Sequence, residues 1–315
     1  MEKILIIGAN GQLGTELSAA LQKKYGQEAV IGSDIRKPQE ENSIFELLDV
    51  LDGEALLSSI KKHKITQIYH LAAILSAKGE ENPKQTWNIN MNGLLNVLEI
   101  AQQEKLNKIY YPSSIAVFGT STPSPAPQYT SMNPSTIYGI SKRAGEQWCE
   151  YYFNKYNVDV RSLRYPGLIS YKTLPGGGTT DYAVDIFYKA VEATKFSCFL
   201  EENTRLPMMY MPDAVRATLE LMEAEKDKLS THEGYNLNAF DCTPKELYEE
   251  IKKHIPTLEI EYKIDKLRQS IADSWSDTVD DSVARKDWNW QHQYDMESTT
   301  KDMLLHLKNK LTLQK

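Results

Sequence analysis

The stretch Lys3-Ile4-Leu5-Ile6-Ile7-Gly8-Ala9-Asn10-Gly11-Gln12-Leu13-Gly14 decides the fold class. An almost unbroken apolar run ending in glycine suits a strand buried on both faces of a parallel sheet. Leu13, Leu17, Ala20 and Leu21 then recur at helical spacing from residue 12 to about 24, and Ala29-Val30-Ile31-Gly32-Ser33-Asp34 reads as a second strand. One βαβ unit is complete by residue 34. Gly8, Gly11 and Gly14 are spaced three and three between its first strand and its helix. Glycine lets such a turn tighten and lets the backbone approach a pyrophosphate, while the helix N-terminus offers N–H groups and partial positive charge. A bare glycine triplet is a weak signal and is often only a tight turn, but here the flanking strand and helix point to dinucleotide binding.

Asp34 stands 20 residues after Gly14 (34 − 14 = 20), at a strand end where a carboxylate can accept hydrogen bonds from the adenine ribose hydroxyls. Its charge repels a 2′-phosphate, so NAD is the expected cofactor. Arg36 lies close by as a residue able to bind that phosphate.

Outward from this unit the alternation continues. Residues 52–62 read as a helix, 67–71 as a strand, 83–104 as a long helix opened by Pro83, and 108–111 as a strand. Pro134 opens a further helix reaching about residue 156, ahead of a strand at 158–163. Strands separated by helices in this way indicate an α/β fold, a doubly wound parallel sheet of Rossmann type. After Arg164 the rhythm loosens. Glycine and proline cluster at Pro175-Gly176-Gly177-Gly178, and helices near 213–225, 243–254 and 298–307 mix with short strands. The expected organisation is a dinucleotide-binding core over residues 1–165, and a smaller substrate-binding cap mainly from residues 166–315 with some segments returning to the core.

Among the 315 residues, 36 basic against 43 acidic side chains give a net charge of −7, and the longest cationic groupings are pairs such as Lys23-Lys24. That excludes nucleic acid as an expected partner. No apolar stretch approaches the roughly 20 residues of a membrane helix. Met1-Glu2-Lys3 leads into the first strand without signal-peptide organisation, so a cytoplasmic protein is expected. Cys149, Cys198 and Cys242 are far apart and the six histidines form no ligand motif, so no metal is expected.

Tyr138-Gly139-Ile140-Ser141-Lys142 sets a tyrosine and a lysine four apart on one helix face. An ammonium beside a phenol favours phenolate and is expected to lower its pKa from about 10 toward working pH, making Tyr138 a general base toward a substrate hydroxyl. Such a pair alone is usually only a surface pair. Its place in the chain changes the reading, because Ser113 and Ser114 follow the strand at 108–111, at the carboxyl end of the sheet where open α/β folds bind ligands.

Together the glycine fingerprint, Ser113-Ser114-Ile115-Ala116-Val117-Phe118-Gly119, Tyr138 with Lys142, and Arg164-Tyr165-Pro166-Gly167 resemble extended short-chain dehydrogenases related to nucleotide-sugar epimerases. That likeness implies that Ser114 is the catalytic hydroxyl and that Lys142 also binds the nicotinamide ribose. It places the cofactor along Gly8, Asn10, Gly11, Gln12, Leu13, Gly14, Asp34, Ile35, Arg36, Leu71, Ala72, Ala73, Asn90, Tyr138, Pro166 and Leu168, with Asp49 and Val50 at the adenine. In the second half, residues 172–183, 206–214 and 275–290 resemble segments distinctive of short-chain L-threonine 3-dehydrogenases, with Trp288-Asn289-Trp290 where those relatives show Trp-Gly-Trp.

The narrower likeness implies oxidation of L-threonine at C3 by NAD⁺ to L-2-amino-3-oxobutyrate, by a homodimer pairing helices near 83–104 and 134–156. Expected substrate contacts are Ser76, in the loop after the strand at 67–71, with Ser113, Ser114, Tyr138, Thr179, Thr180 and Asp181. Asp181 is the candidate for facing the ammonium. A glycine-rich loop ending Thr-Thr-Asp is otherwise an ordinary turn and helix cap. A nucleotide-sugar epimerase is the rival enzyme, needing groups for a second diphosphate that Arg205, Arg216, Arg268 and Arg285 can supply. A catalytically silent dinucleotide sensor is the rival of another class.

Overall fold

The structure, a computed structural model, describes residues 2–38, 44–192 and 195–313. Strand β1 (Ile4–Ile7) is wholly buried and feeds helix α1 (Gln12–Tyr25), which returns to β2 (Val30–Asp34). A short strand β3 (Ile44–Leu47), absent from the sequence reading, follows at the sheet edge, where its first three residues are partly buried and Leu47 is exposed. Then come α2 (Gly53–His63), β4 (Gln67–His70), α3 (Ser76–Glu81), α4 (Pro83–Trp87), a π turn (Asn88–Asn92) and α5 (Gly93–Gln103). The long helix expected over 83–104 is thus one rod interrupted by the π turn. Strand β5 (Lys108–Ser114) includes both serines and Pro112, and α6 (Ile137–Tyr156) leads into β6 (Val160–Tyr165). Pro134 does not open α6. Thr136 caps it, accepting from the Gly139 N–H, and Pro134 packs outside the first turn.

These strands pair in parallel in the order β6-β5-β4-β1-β2-β3, which is the doubly wound Rossmann order and reverses direction between β1 and β4. Every strand end that carries a candidate site residue therefore opens on one edge.

Beyond β6 the chain builds β7 (Gly167–Ile169), α7 (Tyr182–Glu192), β8 (Lys195–Cys198), β9 (Leu206–Tyr210) and α8 (Met211–Glu223). It continues through β10 (Tyr235–Asn236), β11 (Phe240–Cys242), α9 (Pro244–Lys252), β12 (Glu259–Tyr262), α10 (Lys266–Ala272), α11 (Ser282–Trp288) and α12 (Met296–Leu313). Strand β10 pairs with β6 as the seventh strand of the main sheet, whereas β7, β9 and β11 form a second sheet and β8 and β12 a third.

Burial sorts into three bodies. On one face of the main sheet, Leu56 and Ile60 of α2, Leu94 and Val97 of α5 and Cys149 of α6 pack together; on the other, Leu17 and Leu21 of α1 meet Ala214 and Leu221 of α8 and Trp288 of α11. The third body gathers Tyr182, Phe187, Phe196, Met208, Leu247 and Leu307 and reaches Tyr138 and Val117, so α6 meets the elements that follow β6 at Tyr138. Asn289 takes φ +58° at the end of α11, a left-handed position that glycine fills best and asparagine next best. Among the described residues no helix is long and apolar enough to cross a membrane.

Candidate active site

Two of the three fingerprint glycines are demanded by packing. Gly8 has φ +87°, and a Cβ there would lie 2.8 Å from the Ala72 nitrogen; one on Gly14 would lie 2.3 Å from the Gly8 carbonyl oxygen. Gly11 is different, because its nearest obstacle would be that same oxygen at 3.3 Å. It is the N-cap of α1 and provides no side-chain cap, whereas α2 and α6 are capped by Asp52 and Thr136. The first-turn N–H groups of α1 thus lack a side-chain acceptor. Gln12 Nε2 in the same turn is buried and has no hydrogen-bond partner among the described residues. A turn of this kind, held open by glycine and rich in unclaimed donors, fits a diphosphate. Asn10 and Leu13 belong to it, and Leu71, Ala72 and Ala73 run alongside past the end of β4.

At the end of β2, the buried Asp34 carboxylate accepts from the Arg36 N–H (3.1 Å) and the Asn10 N–H (3.3 Å), while Asn10 Nδ2 donates to the Arg36 carbonyl (2.7 Å). Arg36 Nε stands 3.6 Å from Asp34, so the residue able to receive a 2′-phosphate is instead paired with the carboxylate that excludes one. Ile35 is exposed beside them. Asp49 accepts from the Leu51 N–H, and Val50 is buried beneath α5, where a Cβ on Gly93 would meet it at 2.8 Å. Pro166 and Leu168 flank the step from β6 into β7.

Asn90, expected along the cofactor, is also tied into the protein. Its amide accepts from the Ile74 N–H (2.8 Å) and donates to the Ile74 carbonyl (3.1 Å) and to Ser141 Oγ (3.1 Å), which commits it to holding the cleft wall.

Ser114, Tyr138 and Lys142 converge. The Ser114 hydroxyl stands near enough to that of Tyr138 to favour its ionised form, and Ser114 Oγ accepts from the Ala116 N–H (3.2 Å). Lys142 Nζ donates to the Pro112 carbonyl (2.7 Å), 4.6 Å from the Tyr111 ring centre and 5.6 Å from that of Tyr138. The expected lowering of the Tyr138 pKa is not what this arrangement gives. Burial pushes Tyr138 up to about 12, the Ser114 hydroxyl offsets only part of that, and burial pushes Lys142 down to about 8. Both groups occupy one dry pocket, which disfavours each charge before either can stabilise the other.

Ser113 leaves the cleft. Successive strand residues face opposite sides of a sheet, and Ser113 donates to Glu146 of α6 at 2.6 Å. Glu146 and Arg164 form a bidentate pair (2.7 and 2.9 Å) with no exposed surface, and Arg164 also donates to the Gln128 carbonyl and Asn236 Oδ1. The sequence reading passed over Glu146, although Tyr138, Lys142 and Glu146 recur every four residues along one helix face.

The glycine loop meets the cleft at two points. Ser76, which starts α3 and does not lie in a loop, hydrogen-bonds Thr179 Oγ1 (3.0 Å) and accepts from the Thr179 N–H (3.2 Å). Asp181, the expected ammonium contact, accepts from the Gly177 and Gly178 N–H groups (2.8 and 2.7 Å), while Thr180 packs against Gly167. Burial raises the Asp181 carboxyl to about 6 against the pull of those two donors. Among the described residues no three His, Cys, Asp or Glu side chains gather as metal ligands.

The family model described as "NAD dependent epimerase/dehydratase family" matches residues 4–237. The chain belongs to this family. Within it, an uncharacterised epimerase/dehydratase of Staphylococcus haemolyticus is 45% identical, the match covering 98% of this chain and 99% of that one. The chain is also similar to the holo form of an L-threonine dehydrogenase from Cupriavidus necator, at 52% identity, TM-score 0.95, and coverage of 97% and 100%. A monomeric L-threonine 3-dehydrogenase from a metagenome is 48% identical, with TM-score 0.95 and coverage of 98% and 99%.

Proposed function

We propose that this chain is an NAD-dependent L-threonine 3-dehydrogenase, oxidising L-threonine at C3 to L-2-amino-3-oxobutyrate. The observation that carries this reading is the convergence of Ser114, Tyr138 and Lys142 near a loop pinned by Ser76 and Thr179. The near full-length likeness to L-threonine dehydrogenases supports it. In the reaction, Ser114 orients the substrate oxygen and the Tyr138 phenolate takes its proton. Lys142 retains the positive charge that makes that phenolate accessible. NAD⁺, when bound, supplies the hydride acceptor and a further positive charge. The cradle from Gly8 to Gly14 holds its diphosphate and Asp34 its ribose.

Residues 166–315 supply most of the substrate cap in this reading. The epimerase alternative is disfavoured by its own candidate residues, since Arg205, Arg216, Arg268 and Arg285 are each ion-paired, with Glu246, Asp213 and Glu220, Asp265, and Asp281. We assign the chain to the cytoplasm, where its three unpaired cysteines suit a reducing compartment. We assign it as a homodimer joined through α6.

NADH formation with L-threonine, D-threonine, L-serine and UDP-sugars tests the reading; turnover of a UDP-sugar but not threonine overturns it. NAD⁺ should exceed NADP⁺ at least tenfold in kcat/KM, about 1.4 kcal/mol. Tyr138→Phe should cut kcat by roughly 10² to 10⁴ with little change in NAD⁺ affinity. Burial holds Tyr138 at about 12 in the free protein, so kcat/KM should rise with pH as the phenolate forms. Lys142→Met should impair both turnover and NAD⁺ binding, since the lysine is assigned to both tasks. A Tyr138→Phe enzyme with unimpaired turnover defeats the assignment.

A further inference from the structure

Helix α3 lies between the glycine loop and the start of the catalytic helix. On the loop side, a Cβ on Gly176 would lie 3.5 Å from Leu75 Cδ1 and one on Gly177 3.5 Å from Lys78 Cβ, while Ser76 holds Thr179 through two hydrogen bonds. On the other side, Glu80 Oε1 accepts from the Ile137 N–H at 2.8 Å, and a Cβ on Gly79 would meet Ile137 Cγ2 at 3.4 Å. Ile137 is the first residue of α6 and directly precedes Tyr138. The far end of α3 is fixed in turn, because Thr86 Oγ1 donates to the Gly79 and Asn82 carbonyls, each at 3.0 Å.

Ser76 and Glu80 are four residues apart, about one helical turn. A single rigid turn thus touches the loop at one end and the first turn of α6 at the other. The first N–H groups of a helix have no partner within it. Thr136 satisfies that of Gly139, and Glu80, from another helix, satisfies that of Ile137.

We propose that Glu80 is a positioning residue: by capping Ile137 it lets α3 transmit the seating of the glycine loop on substrate to the placement of the Tyr138 hydroxyl. This rests on the threonine dehydrogenase reading above. The requirement is for an acceptor oxygen and not for charge, because Glu80 meets α6 through a single backbone N–H. Glutamine keeps that oxygen and alanine removes it.

Wild-type enzyme is first assayed for NADH formation with L-threonine, so that failure of the general reading shows before any variant is judged. Glu80→Ala should then lower kcat/KM for threonine at least tenfold, through both kcat and KM. NADH affinity measured by fluorescence should stay within twofold. Glu80→Gln should return kcat/KM to within threefold of wild type. Threonine-induced protection of residues 173–181 from hydrogen exchange, in the presence of NAD⁺, should weaken in Glu80→Ala alone. Wild-type kcat/KM in Glu80→Ala overturns the proposal, as does a Glu80→Gln enzyme as impaired as the alanine variant. A loss in Glu80→Ala that NADH affinity shares equally overturns it too, since that pattern is general loosening.

Discussion

Asp181, the expected ammonium contact, carries a second task set by its neighbours. Its carboxylate is bound to the loop that precedes it, and its pKa near 6 lies above the ordinary 3.8. A carboxyl raised by folding gives stability that is fully present below its unfolded value and is lost as pH rises through the folded one. Ionised Asp181 therefore costs the folded protein on the order of 2 kcal/mol at neutral pH. Asp181→Asn keeps an acceptor for both glycine N–H groups without the charge. Its Tm should exceed that of wild type at pH 8, with the difference shrinking toward pH 5, while KM for threonine stays within about threefold. A tenfold rise in KM at unchanged Tm gives the ammonium role to this residue. The sequence made Tyr138, Lys142, Ser114 and the glycine turn legible because each lies in a contiguous, periodic motif. The partners of Ser113, Asn90 and Glu80 were not legible, since each lies elsewhere in the chain: the Glu146 carboxylate, the Ile74 backbone and the Ile137 N–H.

Among the elements, the opening strand–turn–helix was readable for the same reason, and its glycines divide into two kinds. Gly14→Ala would drive a methyl group to 2.3 Å from a backbone oxygen that cannot give way, so it should lower Tm markedly and abolish cofactor binding together with stability. Gly11→Ala meets only a 3.3 Å contact, so Tm should change little while NADH affinity falls, because the methyl stands where the diphosphate must approach. Equal Tm losses in both variants, followed by calorimetry and NADH titration, contradict this division. Strand β3 escaped the sequence reading for an opposite reason. It is four residues long, partly buried and carries Glu46, so it shows neither the continuous apolar run of a central strand nor a clear alternation.

At the scale of the whole molecule, α6 faces two ways. Its first turns carry Tyr138 and Lys142 inward, while Trp148, Tyr151 and Tyr156 expose 39%, 47% and 44% of their surface, with neighbouring rings 5.7 to 5.9 Å apart. A stripe of aromatic side chains on one helix is the kind of patch a partner covers. In sedimentation equilibrium the wild type should run at twice the 35.9 kDa chain mass, and Trp148→Glu with Tyr151→Lys should run as a monomer. A monomeric wild type defeats the homodimer assignment.

The place of β10 bears on how the molecule comes to exist at all. A ribosome that has released residues 1–165 has delivered the glycine turn, the tyrosine and the lysine, but Asn236, which both extends the sheet beside β6 and receives Arg164, is still 71 residues away (236 − 165 = 71). Until it emerges, the charged pair that ties α6 to β6 stands at an open sheet edge, and at ~5–20 residues per second that interval lasts several seconds. The nascent chain must wait with its catalytic helix incompletely fastened, and severing it at residue 165 would leave it waiting indefinitely.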